Sequence, residues 1–209
     1  MLRILIADDH SVVRKGLKQI LLEEFPAATI EDVPDAEEMI KKVMTAKWDV
    51  VVSDMSMPGR SGLDALQQIK QIHPELPVLI LSIHPEEHYA LRVLKAGASG
   101  YLSKGSASDE LVKAVQTVLL GKKYISAAVA EKLASSFSAD SPKQAHELLS
   151  DREFDVMKLL ASGKSVSDIA EMLSLSVTTI STYRARIMAK MNLKTNSDLT
   201  KYAIESNLI

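Results

Sequence analysis

The sequence predicts two domains of different class, a doubly wound α/β domain with a five-stranded parallel sheet and then a smaller all-α domain. Three observations predict this. Short continuous apolar runs alternate with amphipathic stretches through roughly the first 120 residues, the pattern of strands covered on both faces by helices. From Leu149 onward no strand pattern remains. A chain of 209 residues is long for one small domain and comfortable for two.

Each element has its own signal. Ile4-Leu5-Ile6-Ala7 reads as a buried strand, and Val13, Leu17, Ile20 and Leu21 recur at helical spacing after it. A weaker strand at Thr29–Val33 precedes a helix carrying Ala36, Met39, Ile40 and Val43. Val50-Val51-Val52 is a strong strand, followed by a helix marked by Leu63, Leu66 and Ile69. Val78-Leu79-Ile80-Leu81 precedes a helix at Tyr89–Ala96. Gly100-Tyr101-Leu102 is a short fifth strand, and Leu111, Val112, Val115 and Leu119 mark the helix that ends the domain. The expected boundaries are 1–121 for this domain, 122–146 for a linker and 147–209 for the helical domain. The linker reading rests on the polar stretch Ser135–Pro142, with a helix at Val129–Phe137 leading into it. Four helices then follow, at Arg152–Ala161, Val166–Leu173, Val177–Met191 and Asp198–Ser206.

Composition excludes several classes. Hydrophobic residues make up 46%, enough for two ordinary cores, and the formal charge of −2 argues against a wholly basic nucleic-acid coat. There is no cysteine, so disulfides and thiolate metal sites are excluded. No apolar run approaches the roughly 18–20 residues that cross a bilayer, and the first apolar run meets Asp8 too soon for a signal peptide. The expectation is a soluble cytoplasmic protein that does not engage a membrane.

In a doubly wound sheet, ligands sit outside the carboxyl ends of the strands. Here the first strand runs into Asp8-Asp9, the third into Asp54, the fourth into Ser82, and Lys104 follows the fifth. Singly, each is an ordinary residue for its place, since an aspartate at a strand end is usually a turn former or cap. Together they put three carboxylates, a hydroxyl and an ammonium on one rim. Crowded carboxylates repel unless a cation lies among them, and hard oxygen donors with few protein contacts suit Mg2+.

In the helical domain, residues 147–209 hold eight Lys/Arg and eight Asp/Glu, but between Val177 and Lys194 there are four cations and no acid. That polarity suits one DNA-facing helix. Ile169, Ala170 and Leu173 form an inner helix face, Leu173–Ser176 a short turn, and Ser176 a cap for the next helix, with Val177, Ile180 and Ile187 toward the core. The spacing alone also fits a small helical bundle with no DNA function.

The first 120 residues or so resemble the receiver domain of two-component response regulators, a flavodoxin-like fold. The resemblance is carried by Asp8-Asp9-His10, Asp54-Met55-Ser56-Met57-Pro58-Gly59, Ser82 and Tyr101-Leu102-Ser103-Lys104. It implies that Asp54 is the phosphoacceptor. Asp9 and Asp54 would ligate Mg2+ directly, Asp8 through water and Ser56 through its carbonyl. Ser82 would bind a phosphoryl oxygen, Lys104 would pair with the modified carboxylate, and Tyr101 would be the aromatic switch. Two departures are Gly105 after Lys104, where proline is common, and Ile83 after Ser82, where a smaller residue is common.

Residues 147–209 resemble the LuxR-type helix-turn-helix of the NarL/FixJ response regulators. The carrying segments are Leu149-Ser150-Asp151-Arg152-Glu153, Gly163-Lys164-Ser165 with Asp168-Ile169-Ala170, Ser176 through Arg184, and Lys190-Met191-Asn192-Leu193. Tyr183 stands where histidine is frequent. The resemblance implies a transcription regulator whose partners are a sensor histidine kinase, double-stranded DNA, a second copy of itself in a homodimer, and RNA polymerase. Ser181, Thr182 and Ala185 would face base edges and Arg184 and Arg186 phosphates, with Thr179 and Lys190 also on the DNA-binding face. Leu199, Tyr202 and Ala203, spaced i, i+3, i+4, would form the dimer stripe. A phosphatase using Asp54 is the competing enzyme reading, but no second aspartate follows it at Asp-x-Asp spacing. A receiver that serves only as a binding module is the other alternative. The acidic rim argues against it, and the expectation is a switch, not an enzyme.

Overall fold

Residues 1–127, 129–131, 144–206 and 208–209 are described by the structure, a computed structural model. The chain separates into two compact units, Met1–Phe137 and Ser138–Ile209.

The first unit alternates strand and helix throughout: β1 (Arg3–Ala7), α1 (Ser11–Glu24), β2 (Thr29–Val33), α2 (Ala36–Thr45), β3 (Val50–Asp54), α3 (Gly62–Ile72), β4 (Val78–Ser82), α4 (Glu86–Lys95), β5 (Gly100–Ser103) and α5 (Ala107–Leu119). All strand pairs are parallel, in the order β2-β1-β3-β4-β5. The order reverses at β1, and the crevice beside β1 and β3 at their carboxyl ends is the switch point of the sheet. The apolar runs are continuous because both sheet faces are covered. Ile4, Ile6, Val50, Val52, Leu79 and Leu81 pack with Leu17 and Leu21 of α1 and Leu111 and Val115 of α5. The alternating residues Leu5, Val51 and Ile80 are equally buried and therefore point to the other face. Asp35 and Ser61 cap α2 and α3 by accepting from the third helical amide.

The second unit begins with a 3-10 turn at Ala145–Leu148, which has no periodic apolar signal in the sequence, and continues as α6 (Asp151–Ala161), α7 (Val166–Met172), α8 (Val177–Met191) and α9 (Asn196–Glu205). Helix starts are heavily signed. Ser150 with Glu153, Ser165 with Asp168 and Thr195 with Asp198 form reciprocal capping boxes, and Ser176 accepts from the Thr179 amide. Ser174 in the turn and Asn192 after α8 take left-handed backbone angles (φ 53° and 54°). Phe154, Met157, Ile169, Ile180, Ile187, Leu199 and Ala203 make the core.

Two expectations need correction. Val177 is about half exposed rather than in the core, because the buried stripe of α8 begins one turn later, at Ile180. The fourth helix of the first unit starts at Glu86 instead of Tyr89, because its first turn carries polar residues that apolar periodicity does not mark. The polar stretch Ser135–Pro142 and most of the helix expected at Val129–Phe137 lie outside the described residues, residues 129–131 being helical.

Candidate functional site

The strand ends bring their polar residues together. Asp8 directly follows β1 and is fully buried, Asp54 is the last residue of β3, Ser82 the last of β4, and Lys104 directly follows β5. Lys104 Nζ lies 2.7 Å from Asp8 Oδ2 and 2.9 Å from Asp54 Oδ2, bridging the first and third strands. Asp54 Oδ1 accepts the Ser56 amide at 3.1 Å. His10 donates its amide to Asp8 Oδ1 at 2.8 Å, and its ring Nδ1 lies 2.7 Å from Asp9 Oδ1.

The electrostatics follow from this packing. Burial pushes the Asp54 carboxyl above its ordinary value, opposed in part by the Lys104 hydrogen bond and charge. For Lys104, burial works against the ammonium, but its bonds to Asp8 and Asp54 outweigh it and raise its pKa, so the amine stays charged. Burial drives the Tyr101 phenol up to about 12, so its hydroxyl remains a donor. It donates to the His84 carbonyl at 2.7 Å, while the His84 amide donates to Ser82 Oγ at 3.0 Å. The β4–α4 loop thus ties Ser82 to Tyr101.

The pocket also fits a cation. Asp8, Asp9, His10 and Asp54 each present a ligand atom within 4.8 Å of one another. Asp8 Oδ2 and Asp9 Oδ1 are buried and receive no well-aligned hydrogen bond, although Lys104 Nζ and His10 Nδ1 each lie 2.7 Å away. Carboxylate oxygens left this way suit a hard divalent ion.

Two scaffold residues escaped the sequence reading. A Cβ on Gly62 would meet the Asp54 carbonyl oxygen at 1.9 Å and its carbon at 2.9 Å, so the start of α3 can lie against the end of β3 only as glycine. A glycine among loop residues ahead of a helix signals this position, though many such glycines are mere punctuation. Arg14 on α1 donates to the Asp8 carbonyl at 2.6 Å and to Asp32 Oδ2 at 3.0 Å, fixing the backbone that aims Asp8. Helical spacing gives no sign of that.

In the second unit, α8 presents Ser181, Thr182, Ala185 and Arg186 on an exposed face. The Ser181 and Thr182 hydroxyls donate to the carbonyls of Val177 and Thr178 at 2.9 and 3.0 Å, which leaves their oxygen lone pairs as acceptors. The Thr179 hydroxyl shares a 2.8 Å bond with Ser176 Oγ in the helix cap. Arg184 Nε donates to Asn196 Oδ1 at 2.9 Å.

Lys190, expected on the DNA-binding face, is exposed, and its ammonium lies 2.6 Å from Oε2 of the buried Glu153. One further expectation in this unit is corrected. Leu199 and Ala203 do not form a dimer stripe. Both are fully buried in their own domain, where α9 packs on α6. Tyr202 is half-buried, its hydroxyl bonded to the His146 amide and ring nitrogen at 3.3 and 2.9 Å. The exposed side of α9 instead carries Ile204. Among the described residues, no helix is long and apolar enough to cross a membrane.

Residues 4–116 match the family described as the response regulator receiver domain, and residues 147–203 the bacterial regulatory proteins of the luxR family. The chain is 35% identical over 209 residues to the response regulator UvrY of Escherichia coli K12, covering all of this chain and 96% of that protein. It is 36% identical over 216 residues to the oxygen regulatory protein NreC of Staphylococcus epidermidis, covering all of this chain and 99% of that one. Among solved structures, RcsB from Salmonella enterica serovar Typhimurium, bound to the promoter rprA in the presence of BeF3−, matches with a TM-score of 0.61 at 26% identity, over 97% of this chain and 98% of that one. The strand-end pocket, the capped helix-turn-helix and these full-length likenesses lead to one conclusion: the chain belongs to the NarL/FixJ family of response regulators, with a receiver domain followed by a LuxR-type DNA-binding domain.

Proposed function

We propose that Asp54 accepts a phosphoryl group from a sensor histidine kinase and that this controls dimerisation and sequence-specific binding to double-stranded DNA. The observation that carries the reading is Lys104, which holds Asp8 and Asp54 at 2.7 and 2.9 Å in a buried acidic pocket. An Asp54 carboxylate oxygen forms the new O–P bond as the donor's P–N bond breaks, and the donor imidazole leaves with the electron pair. Lys104 stays protonated through the step and follows the charge onto the phosphoryl oxygens. The Asp9 and Asp54 carboxylates would hold Mg2+, with Asp8 acting through water and the Ser56 carbonyl as a further ligand. Bound there, the ion neutralises phosphoryl charge.

After transfer, the Ser82 hydroxyl is free to turn from the His84 amide toward a phosphoryl oxygen, and the loop that links it to Tyr101 follows. Ser181, Thr182 and Ala185 would then face base edges, with Arg184 and Arg186 on phosphates. The second copy of the homodimer would contact the exposed Ile204 side of α9. RNA polymerase is a further partner, and the cytoplasm is the compartment that suits a DNA-bound regulator. The chain acts as a switch, not as a turnover enzyme.

The test is to treat the full chain with a small-molecule phosphodonor, with and without Mg2+, and map the modification by peptide mass. Modification at Asp54 that requires Mg2+ and disappears in Asp54→Asn supports the reading. Equal modification of the variant rejects it.

A further inference from the structure

β5 ends the sheet order, so one side of it is an edge with backbone groups that no neighbouring strand pairs. The chain itself returns to cover that edge. After α5, Gly121 takes a left-handed turn (φ 74°), and the segment 122–126 runs alongside β5. The Tyr124 amide donates to the Ser99 carbonyl at 2.8 Å, and Tyr124 forms a parallel bridge with Gly100. The Lys123 ammonium donates to the Ala98 carbonyl. The approach is close enough to require glycine, since a Cβ on Gly100 would meet the Tyr124 carbonyl oxygen at 2.7 Å and its Cβ at 2.9 Å. Tyr124 is also partly buried against the core on this face of the sheet.

The same segment walls a cleft of about 580 Å3 that Tyr101 also lines, together with Glu86 and Glu110. Tyr101 is turned inward, 3% exposed, with its hydroxyl on the His84 carbonyl. Turned outward, its ring would enter the cleft against Tyr124 and Ile125. Beyond its apolar packing, the strap is held by a single bridge with its backbone hydrogen bond and by the Lys123 ammonium on the Ala98 carbonyl, few enough ties for a bias at Tyr101 to displace it.

We infer that the segment 122–126 is a strap that docks on β5 while Tyr101 is turned inward and lifts when Tyr101 turns into the cleft. The state of the acidic pocket is thereby passed to the chain that leads to the DNA-binding domain. This rests on phosphorylation of Asp54 drawing Ser82 toward the pocket and so favouring the inward tyrosine.

Amide hydrogen exchange on the full chain tests it, with modification of Asp54 verified by mass in the same sample. Protection of the Tyr124 amide rises about tenfold on modification, while amides of β1 stay unchanged. Tyr101→Ala removes the competing ring, so its Tyr124 amide is protected from the start and no longer responds. Gly100→Ala exposes the Tyr124 amide in both states. Because a Cβ there would also press on Leu79, Tyr124→Ala serves as a variant that leaves β5 intact. It should accept phosphate normally yet lose protection along 123–127 and lose the DNA-affinity response to the phosphodonor. Unchanged Tyr124 protection in verified modified protein overturns the strap, as does a full DNA response in Tyr124→Ala. Absence of any Asp54 modification sinks the phosphorylation reading instead, and the strap is then decided by whether Tyr101→Ala raises Tyr124 protection.

Discussion

At the scale of single residues, the pocket depends on positions that do no chemistry. Gly62 is the sharpest case. Its hydrogen faces the Asp54 carbonyl, where a methyl would sit 1.9 Å from a backbone oxygen, and backbone cannot swing away as a flexible side-chain tip can. Gly62→Ala should therefore cost about 1–3 kcal/mol and shift the β3–α3 loop that carries Asp54. Urea unfolding reads the first effect and the Asp54 phosphorylation rate the second; wild-type values for both would reject the account. On the DNA side, Thr182 and Arg186 should separate by role. Short side chains cannot make the two-pronged guanine contact of arginine, and the Thr182 methyl suits thymine. Thr182→Ala should alter which sequences are selected from random DNA. Arg186→Ala should weaken all DNA about equally and lower the salt slope by about one. The reverse pattern would show that Arg186 reads a base.

At the scale of elements, the helical domain is tied at its helix starts. Glu153 closes the capping box of α6 and holds Lys190 of α8 at 2.6 Å. Burial alone would raise its carboxyl, but the Lys190 bond, the Ser150 amide and hydroxyl, and the Lys190 charge hold it below the ordinary range. A carboxyl depressed in the folded state stabilises the fold fully above its unfolded value of about 4.3, and that stability is lost as pH falls through the lower folded value. Glu153→Gln should cost about 1 kcal/mol at neutral pH, a modest figure because Lys190 can turn to solvent. It should also flatten the loss of stability below about pH 4.3. An acid limb as steep in the variant as in wild type would remove Glu153 from the explanation. The same packing logic explains the dimer stripe. The i, i+3, i+4 spacing of Leu199, Tyr202 and Ala203 identifies one face of α9, but spacing does not say whether that face meets its own domain or another copy.

At the scale of the whole molecule, two units with separate cores should unfold separately. The acidic pocket belongs to the first alone, so Mg2+ should raise the receiver transition and leave that of the DNA-binding domain in place. At an ion concentration tenfold above its dissociation constant, the gain is about 1.4 kcal/mol. Calorimetry with and without Mg2+ checks this, and a shift of the second transition, or of neither, counts against the site. Much of this architecture is legible from local pattern. Continuous apolar runs declare strands buried on both faces, and the ordered strand ends declare the pocket, because a parallel sheet brings residues at strand ends to one rim whatever lies between them. Capping residues declare the helix starts, because they bond amides only three positions away.

What the sequence by itself determined is therefore the class and order of both domains, the five residues of the strand-end rim, and the inner face of α8 that holds Ile180 and Ile187 in the core. Each follows from a short-range period or from the topology that the period implies. Only the tertiary structure decided what depends on closeness between segments far apart in sequence. Lys190 and Glu153 are 37 positions apart, and their pairing gives a lysine of α8 an intramolecular partner that composition alone does not show. Gly62 and Gly100 look like ordinary turn glycines until the Asp54 carbonyl and the Tyr124 backbone are seen pressed against them. Leu199 and Ala203 became core because α9 lies on α6. Periodicity orients a side chain about its own helix axis, and only packing determines what stands opposite.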